Sequence, residues 1–427
     1  GGRACHASRL EGCEVKINRA YRVELDPNNV QRTALLRHAG CARWAYNWGL
    51  RRKIEEYETH GKSPGAMALH RDLNALKKTA TEDGGVPWMY EVSKCAPQEA
   101  LRDLDRAFQH FFRRCKQGDK RKGFPRFKSR KRGIGGFRLT GTIKVTEDGR
   151  HVQLPKLGLL RVKERGYLPG PDGDGVRILS ATVTEQAGHW FVSLAVEQEI
   201  ADAEQRPTGD TVGVDVGIKT LATVSDGRTF DNPKSLRGAE ARLRRLQKAV
   251  SRKQRGSNNR KKAVEQLRRQ HYRVTCIRRD SIHKATSAIT KSASAIGIET
   301  LNVKGMMQNR RLSKALSDAS LSEFLRQIEY KARWRGAVVV KADRFYPSSK
   351  TCSGCGSVKS DLTLGDRTYR CESCGLVIGR DLNAALNLRA LAVSSTVTAC
   401  GEDVRPNPPL GVGDAASLKQ EPNSRAA

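Results

Sequence analysis

The chain has 427 residues, with 78 Lys and Arg against 45 Asp and Glu, a formal net charge of +33 at pH 7. That length accommodates roughly two to four domains with sizeable cores, and a surplus of positive charge this large repels itself unless a polyanion offsets it. It points to nucleic acid and away from small acidic substrates, while no stretch approaches the roughly 18 apolar residues of a spanning helix and Gly1 to Cys13 has no apolar signal core, so a soluble, intracellular protein without a membrane partner is expected.

Val15 to Leu25 alternates apolar and polar residues as a strand does, and Asp26-Pro27-Asn28 breaks it and opens a helix predicted to run to about Glu58. A second helix is predicted after Pro97, with Leu101, Leu104, Phe108 and Phe111 at three- and four-residue spacing and Gly118 at its end. Phe137 to Thr146, His151 to Val162, Val176 to Thr184 and Trp190 to Val196 then read as short strands between Gly and Asp turns. With the strand at Val15 they predict a small β-barrel carrying the helical segment from Asn28 to about Arg132 as an insert. Leu101 to Arg132 holds thirteen basic and three acidic residues, interleaved with Phe108, Phe111, Phe112, Phe124 and Phe127. Phosphate binding with some base stacking is the reading this favours.

A polar linker from Ile200 to Asp210 leads to Val212–Val224, predicted as a strand, a tight Gly turn and a second strand. Basic helices are expected over about Ala239 to Ala293, interrupted near Gly256-Ser257-Asn258-Asn259; Ala241 to Thr290 has sixteen basic residues against two acidic. Buried strands are predicted at Ala295–Ile298 and Ala337–Val340. Beyond about Ala392 the Ser-, Thr-, Pro- and Gly-rich tail is predicted to be disordered.

Cys352-x-x-Cys355 and Cys371-x-x-Cys374 are separated by fifteen residues, a spacing that lets two knuckles close a tetrahedral four-thiolate zinc site. Gly356 and Gly375 follow the pairs at once, as tight knuckles require. Seven further scattered cysteines and no secretory signal argue against two disulfides.

Three carboxylates stand where a fold could gather them. Asp215 lies in a strand whose Val212, Val214 and Val216 point one way; Gly213 and Gly217 flank it on the other face, with room expected for a substrate backbone. Glu299 ends the apolar run Ala295–Ile298, and Asp381 stands before a helix with an Ala384, Ala385, Leu388 stripe. Singly, each has an ordinary reading as turn former, strand end or helix N-cap. An Asp on the first strand, a Glu on a later strand and an Asp opening the final helix is the order of RNase H-like nucleases, whose acids hold two metal ions for phosphodiester hydrolysis.

The segments Gly213–Lys219, Gly297–Val303, Asp343–Cys352 and Gly379–Ala385 resemble the split RuvC motifs and zinc ribbon of the TnpB family, transposon-encoded RNA-guided DNA endonucleases related to compact type V CRISPR effectors. Gln98–Phe108 is similar to the family as well, and Gly379 stands where it often has alanine. The resemblance implies an α/β and β multidomain chain: a wedge β-barrel (14–27 and 133–207) carrying a helical recognition domain (28–132), an RNase H-like RuvC domain (208–347 and 377–392) with an inserted zinc ribbon (348–376), and a tail (393–427). It implies catalysis by Asp215, Glu299 and Asp381 on two Mg²⁺, structural Zn²⁺ on the four cysteines, and no catalytic role for Asp343. Guide RNA from its own locus and double-stranded target DNA are the implied partners, with one or two protein chains per RNA in a bacterial cytoplasm beside the nucleoid. Lys94 and Gln98, one helical turn apart, could face a groove and read the short motif next to the target. A CRISPR effector or a non-cutting repressor are the alternatives. A transposase is a third, but no separate helix-turn-helix reader is evident in the sequence.

Overall fold

The computed structural model describes residues 14–130, 133–170, 176–201, 209–363 and 365–399. Most of the linker read after Ile200, and the tail beyond Ala399, lie outside them.

The N-terminal half contributes strands β1 (Glu14–Leu25), β2 (Gly136–Leu139), β3 (Lys144–Val145), β4 (His151–Leu154), β5 (Gly158–Arg161), β6 (Val176–Gln186) and β7 (His189–Ala201). They form a four-stranded sheet, β1-β7-β6-β2, and a three-stranded sheet, β3-β4-β5. Ala187 and Gly188 both take positive φ, 54° and 88°, giving the tight hairpin between β6 and β7 the twist that matches its strands. The expected barrel does not close. β2 and β3 fall in different sheets, with Gly141 (φ 97°) in the turn between them, and among the described residues the sheets meet through the isolated bridge Leu25–Val162. They nevertheless share one core, with Val23, Leu154, Leu160, Val183 and Leu194 buried together.

Between β1 and β2 lie α1 (Asn29–His60), α2 (Ala66–Lys78) and α3 (Cys95–Lys116). Asn28 caps α1 reciprocally: its Oδ1 accepts from the Gln31 amide at 2.9 Å, and Gln31 Oε1 accepts from the Asn28 amide at 3.0 Å. Pro97 sits in the first turn of α3, where a missing amide costs nothing. Buried Glu99 on α3 accepts from Arg102 at 2.6 Å and pairs with Arg138 of β2 at 3.5 Å, tying the helices to the sheet. The aromatics of the basic segment correct the stacking expectation in part. Phe124 packs edge-on against Phe108 and Phe111, at 5.5 and 5.3 Å, and folds the following segment back onto α3. Phe112, Phe124 and Phe127 stay about half exposed.

The second half is built on β8 (Asp210–Val216), β9 (Thr220–Val224), β10 (Thr229–Asp231), β11 (Ala293–Ile298) and β12 (Val338–Lys341), in the order β10-β9-β8-β11-β12. β8 pairs antiparallel with β9 and parallel with β11, which pairs parallel with β12. Helices α4 (Ser235–Ser251) and α5 (Asn258–Lys291) follow β10; the short α6 (Val303–Met306) and α7 (Ser313–Ala319) precede α8 (Leu321–Trp334). Ile282, Ala285 and Ile289 of α5 and Phe324 and Ile328 of α8 bury Val212, Val214 and Val216 on one face. The hairpin β13 (Thr368–Arg370) and β14 (Val377–Gly379) runs directly into α9 (Arg380–Ala399), which covers the other face. α9 extends past residue 392, correcting the expected start of disorder by a further seven residues of helix.

Candidate active site

The register pairs Gly297 with Gly213 and Ile298 with Val214, where β11 ends; Glu299 and Asp215 are the next residues on each chain segment, and Glu299 is close enough for its charge to act on Asp215. Both acids therefore stand at the C-terminal edge of the central parallel pair. α9 supplies the third. A Cβ on Gly213 would collide with the Ala385 carbonyl and the Arg389 amide, and one on Gly297 would collide with the Leu388 carbonyl. These cross-strand glycines let the backbone of α9 lie directly on the sheet, which sets its first turn, with Asp381, over the same edge. The room beside Gly213 thus belongs to α9 and not, as the sequence suggested, to a substrate backbone.

Asp215 is partly buried and feels both other acids. Burial, then Glu299 and Asp381, push its carboxyl up to about 8, against an opposing pull from Arg380. Two residues that sequence reasoning missed fix the partners: the Ser348 hydroxyl donates to Glu299 Oε1, and Arg380 Nη2 donates to Asp381 Oδ1 at 3.1 Å. Their only sequence signal is that they lie inside the Asp343–Cys352 and Gly379–Ala385 segments.

A raised carboxyl pKa means that, from about 3.8 to about 8, folded metal-free protein holds a proton at Asp215 that the unfolded chain has released. The contribution of Asp215 to stability then falls as pH rises through that window. Thermal melts of metal-free protein are expected to show this decline, with a flatter profile in Asp215→Asn; an unchanged slope in the variant would contradict it.

The four cysteines meet as their spacing predicts. Their Sγ atoms lie within 4.8 Å of one another, with Cys352–Cys374 and Cys355–Cys371 each at 3.6 Å. A tetrahedron of 2.3 Å zinc–sulfur bonds has edges of about 3.8 Å, whereas a disulfide needs about 2.05 Å, so this donor set fits zinc. Each knuckle closes on a left-handed glycine: Gly356 (φ 78°) donates to the Cys352 carbonyl at 2.9 Å and Gly375 (φ 76°) to that of Cys371 at 3.1 Å. The Ser357 hydroxyl lies 3.2 Å from both Cys355 and Cys371 and holds both thiols below their usual range, favouring the thiolate a metal requires. The ribbon is pinned to α9. Asn383 accepts from the Ser353 amide at 2.9 Å and donates to the Thr351 carbonyl at 2.7 Å, and Asn387 donates to the carbonyls of Ser348 and Thr351 at 2.7 Å.

Lys94 and Gln98 lie apart from the acids, at the start of α3. Lys94 is exposed and Gln98 partly so, and both line a cleft with Lys77, Lys78, Tyr90 and Thr142.

Residues 181–310 match the family profile OrfB_IS605, described as "Probable transposase", and residues 322–388 match the TNB domain of Cas12f1-like proteins. A curated relative from Streptomyces pristinaespiralis, "Putative RNA-guided DNA endonuclease", is 35% identical over 413 residues, covering 96% of this chain and 98% of the relative. The chain belongs to the TnpB/OrfB family. InsQ of Escherichia coli K12, under the same description, is 32% identical over 425 residues, covering 96% of the chain and 98% of the relative. The TnpB-like protein L79 of Acanthamoeba polyphaga mimivirus is 33% identical over 138 residues, 31% of this chain and 26% of its own. A helix-turn-helix profile also matches residues 17–62. In this TnpB-family chain those residues form most of β1 and the single helix α1, with no turn between two helices. No helix among the described residues is long and apolar enough to cross a membrane.

Proposed function

We propose that this chain is an RNA-guided DNA endonuclease, transposon-associated, that cuts double-stranded DNA beside a short adjacent motif by metal-dependent hydrolysis. One observation carries the reading: Asp215, Glu299 and the first turn of α9 share one edge of the central sheet, with Asp215 pushed up to about 8. Carboxyls crowded in this way carry more negative charge than Arg380 alone offsets. Their donor set is all oxygen, the kind a hard divalent cation takes, and Asp215, Glu299 and Asp381 are the residues that would hold it. Two Mg²⁺ ions bound there would activate water and stabilise the leaving 3′ oxygen. The chain's own part is to hold those acids still. Ser348 orients Glu299, Arg380 holds Asp381, and the glycine seat fixes α9.

Guide pairing would choose the sequence, with the protein gripping RNA and heteroduplex by shape and charge. The basic faces of α3, α4 and α5 suit that task, with residues 28–132 as recognition domain, 14–27 and 133–207 as wedge, 208–347 and 377–392 as RuvC domain and 348–376 as ribbon. In this reading Lys94 and Gln98 read the adjacent motif from their cleft. Purified protein is expected to carry one specific RNA made from its own locus. If it makes 6–10 phosphate contacts, its affinity should fall about 10³- to 10⁵-fold between roughly 50 and 200 mM salt. Sequencing the bound RNA is the test; random cellular RNA alone would remove the reading's main support.

A further inference from the structure

Phe345 is 83% exposed, an unusual position for an aromatic near a partly buried acid cluster. It lies at the tip of a loop held at both ends against the Glu299 strand. At the start, the Ala342 amide donates to the Ile298 carbonyl at 2.8 Å and Thr300 Oγ1 to the Ala342 carbonyl at 2.7 Å. At the end, Ser348 donates to Glu299 itself. Within the loop, Asp343 accepts from the Phe345 amide through Oδ1 at 2.9 Å and from the Tyr346 amide through its carbonyl at 3.1 Å, so the turn is fixed while the ring projects. Three residues of chain span at most about 11 Å, so Phe345 is held within that distance of the residue touching Glu299. The Arg344 guanidinium lies 5.5 Å from the Phe345 ring centroid, adding a cation beside the aromatic face.

We infer that Phe345, with Arg344, is a stacking platform for a nucleobase of the DNA strand presented to Asp215 and Glu299. This rests on the nuclease reading above. Every base has a π-face, so the platform would place a strand without selecting sequence, and Arg344 would meet the adjoining phosphate. Binding would seat the scissile phosphate by holding its neighbour.

The test uses the full chain with its copurifying RNA, in Ca²⁺, and a short oligodeoxythymidylate carrying one 2-aminopurine, at salt high enough to suppress phosphate contacts. Stacking should quench the probe. Phe345→Leu is expected to lose the quench and weaken affinity roughly tenfold, while Phe345→Trp keeps both. Equal quenching and affinity in Phe345→Leu and wild type would overturn the platform. Plasmid cutting, measured in parallel, separates the two claims: a wild type that quenches through Phe345 yet never cuts would refute the nuclease reading and leave the platform standing.

Discussion

Asp215→Ala is expected to lower DNA cutting by about 1,000-fold or more, equivalent to roughly 4 kcal/mol of transition-state stabilisation. Asp215 feels both partners: it and Glu299 each follow the last residues paired between β8 and β11, and its carboxyl responds to Glu299 and Asp381 alike. Removing it takes away a ligand that both the attacking water and the leaving oxygen depend on. The fold should survive, because metal-free Asp215 is mostly protonated at neutral pH, so alanine removes a neutral group from the sheet edge and leaves no new charge unpaired. Guide RNA binding should also persist, since α5 packs against the face of the sheet opposite α9, which carries Asp381. Glu299→Ala and Asp381→Ala should cost about as much, and combining them should add little, because the acids act as one unit. Replacing Mg²⁺ with Ca²⁺ should allow binding and suppress cutting, its looser coordination misplacing the reactants. Supercoiled plasmid with a matched target, incubated with each variant, supplies the measurement; undiminished cutting by Asp215→Ala would remove it from the site.

Cys371→Ser should release zinc and disorder the ribbon, a loss on the order of 10 kcal/mol in isolated structural zinc modules. Beyond the four thiols the ribbon core is small: among the described residues Tyr369 is its one large fully buried side chain, packed with Leu362, Leu376 and Ile378. The damage should not stay local. Ser348 holds Glu299 and gives its carbonyl to Asn387, while β14 leads without a break into the turn bearing Asp381. Loss of the ribbon should therefore slacken two of the three acids, and cutting is expected to fall toward the level of Asp215→Ala with the β-sheets of both halves intact. Elemental analysis of carefully prepared wild type should return one zinc per chain. Less than that, or a Cys371→Ser protein that cuts normally, would contradict the assignment.

Much of this architecture was legible because its signals are local. Alternation located β1, a short apolar run located β11, the Asp26-Pro27-Asn28 break opened α1, and cysteine spacing located the ribbon. Contacts between distant segments carry no such signal. Nothing in the sequence near Gly213 says that α9 will occupy its free side, 170 residues later, and Ser348 gains its role only when its loop folds over Glu299. Barrel closure depends on whether short strands meet edge to edge, which alternation cannot decide. Asp318 shows the converse, an acid with no motif around it. Burial pushes its carboxyl up, but hydrogen bonds from the Leu236 amide, Arg278, Ser235 and the Arg237 amide outweigh that and hold it below the ordinary range, where it anchors the start of α4. The helix α8 did have a signal, Leu321, Phe324, Leu325, Ile328 and Ala332 at three- and four-residue spacing, and all five are buried.

The most direct measurement exchanges the DNA-pairing segment of the copurified RNA for a new sequence and maps plasmid breaks against a library of randomised flanking sequence. RNA-guided hydrolysis at Asp215, Glu299 and Asp381 predicts that breaks move to the newly matched site, require Mg²⁺ and vanish in Asp215→Ala. Breaks that stay in place when the RNA changes, or a wild type that binds the new target in Mg²⁺ and leaves it whole, would contradict it.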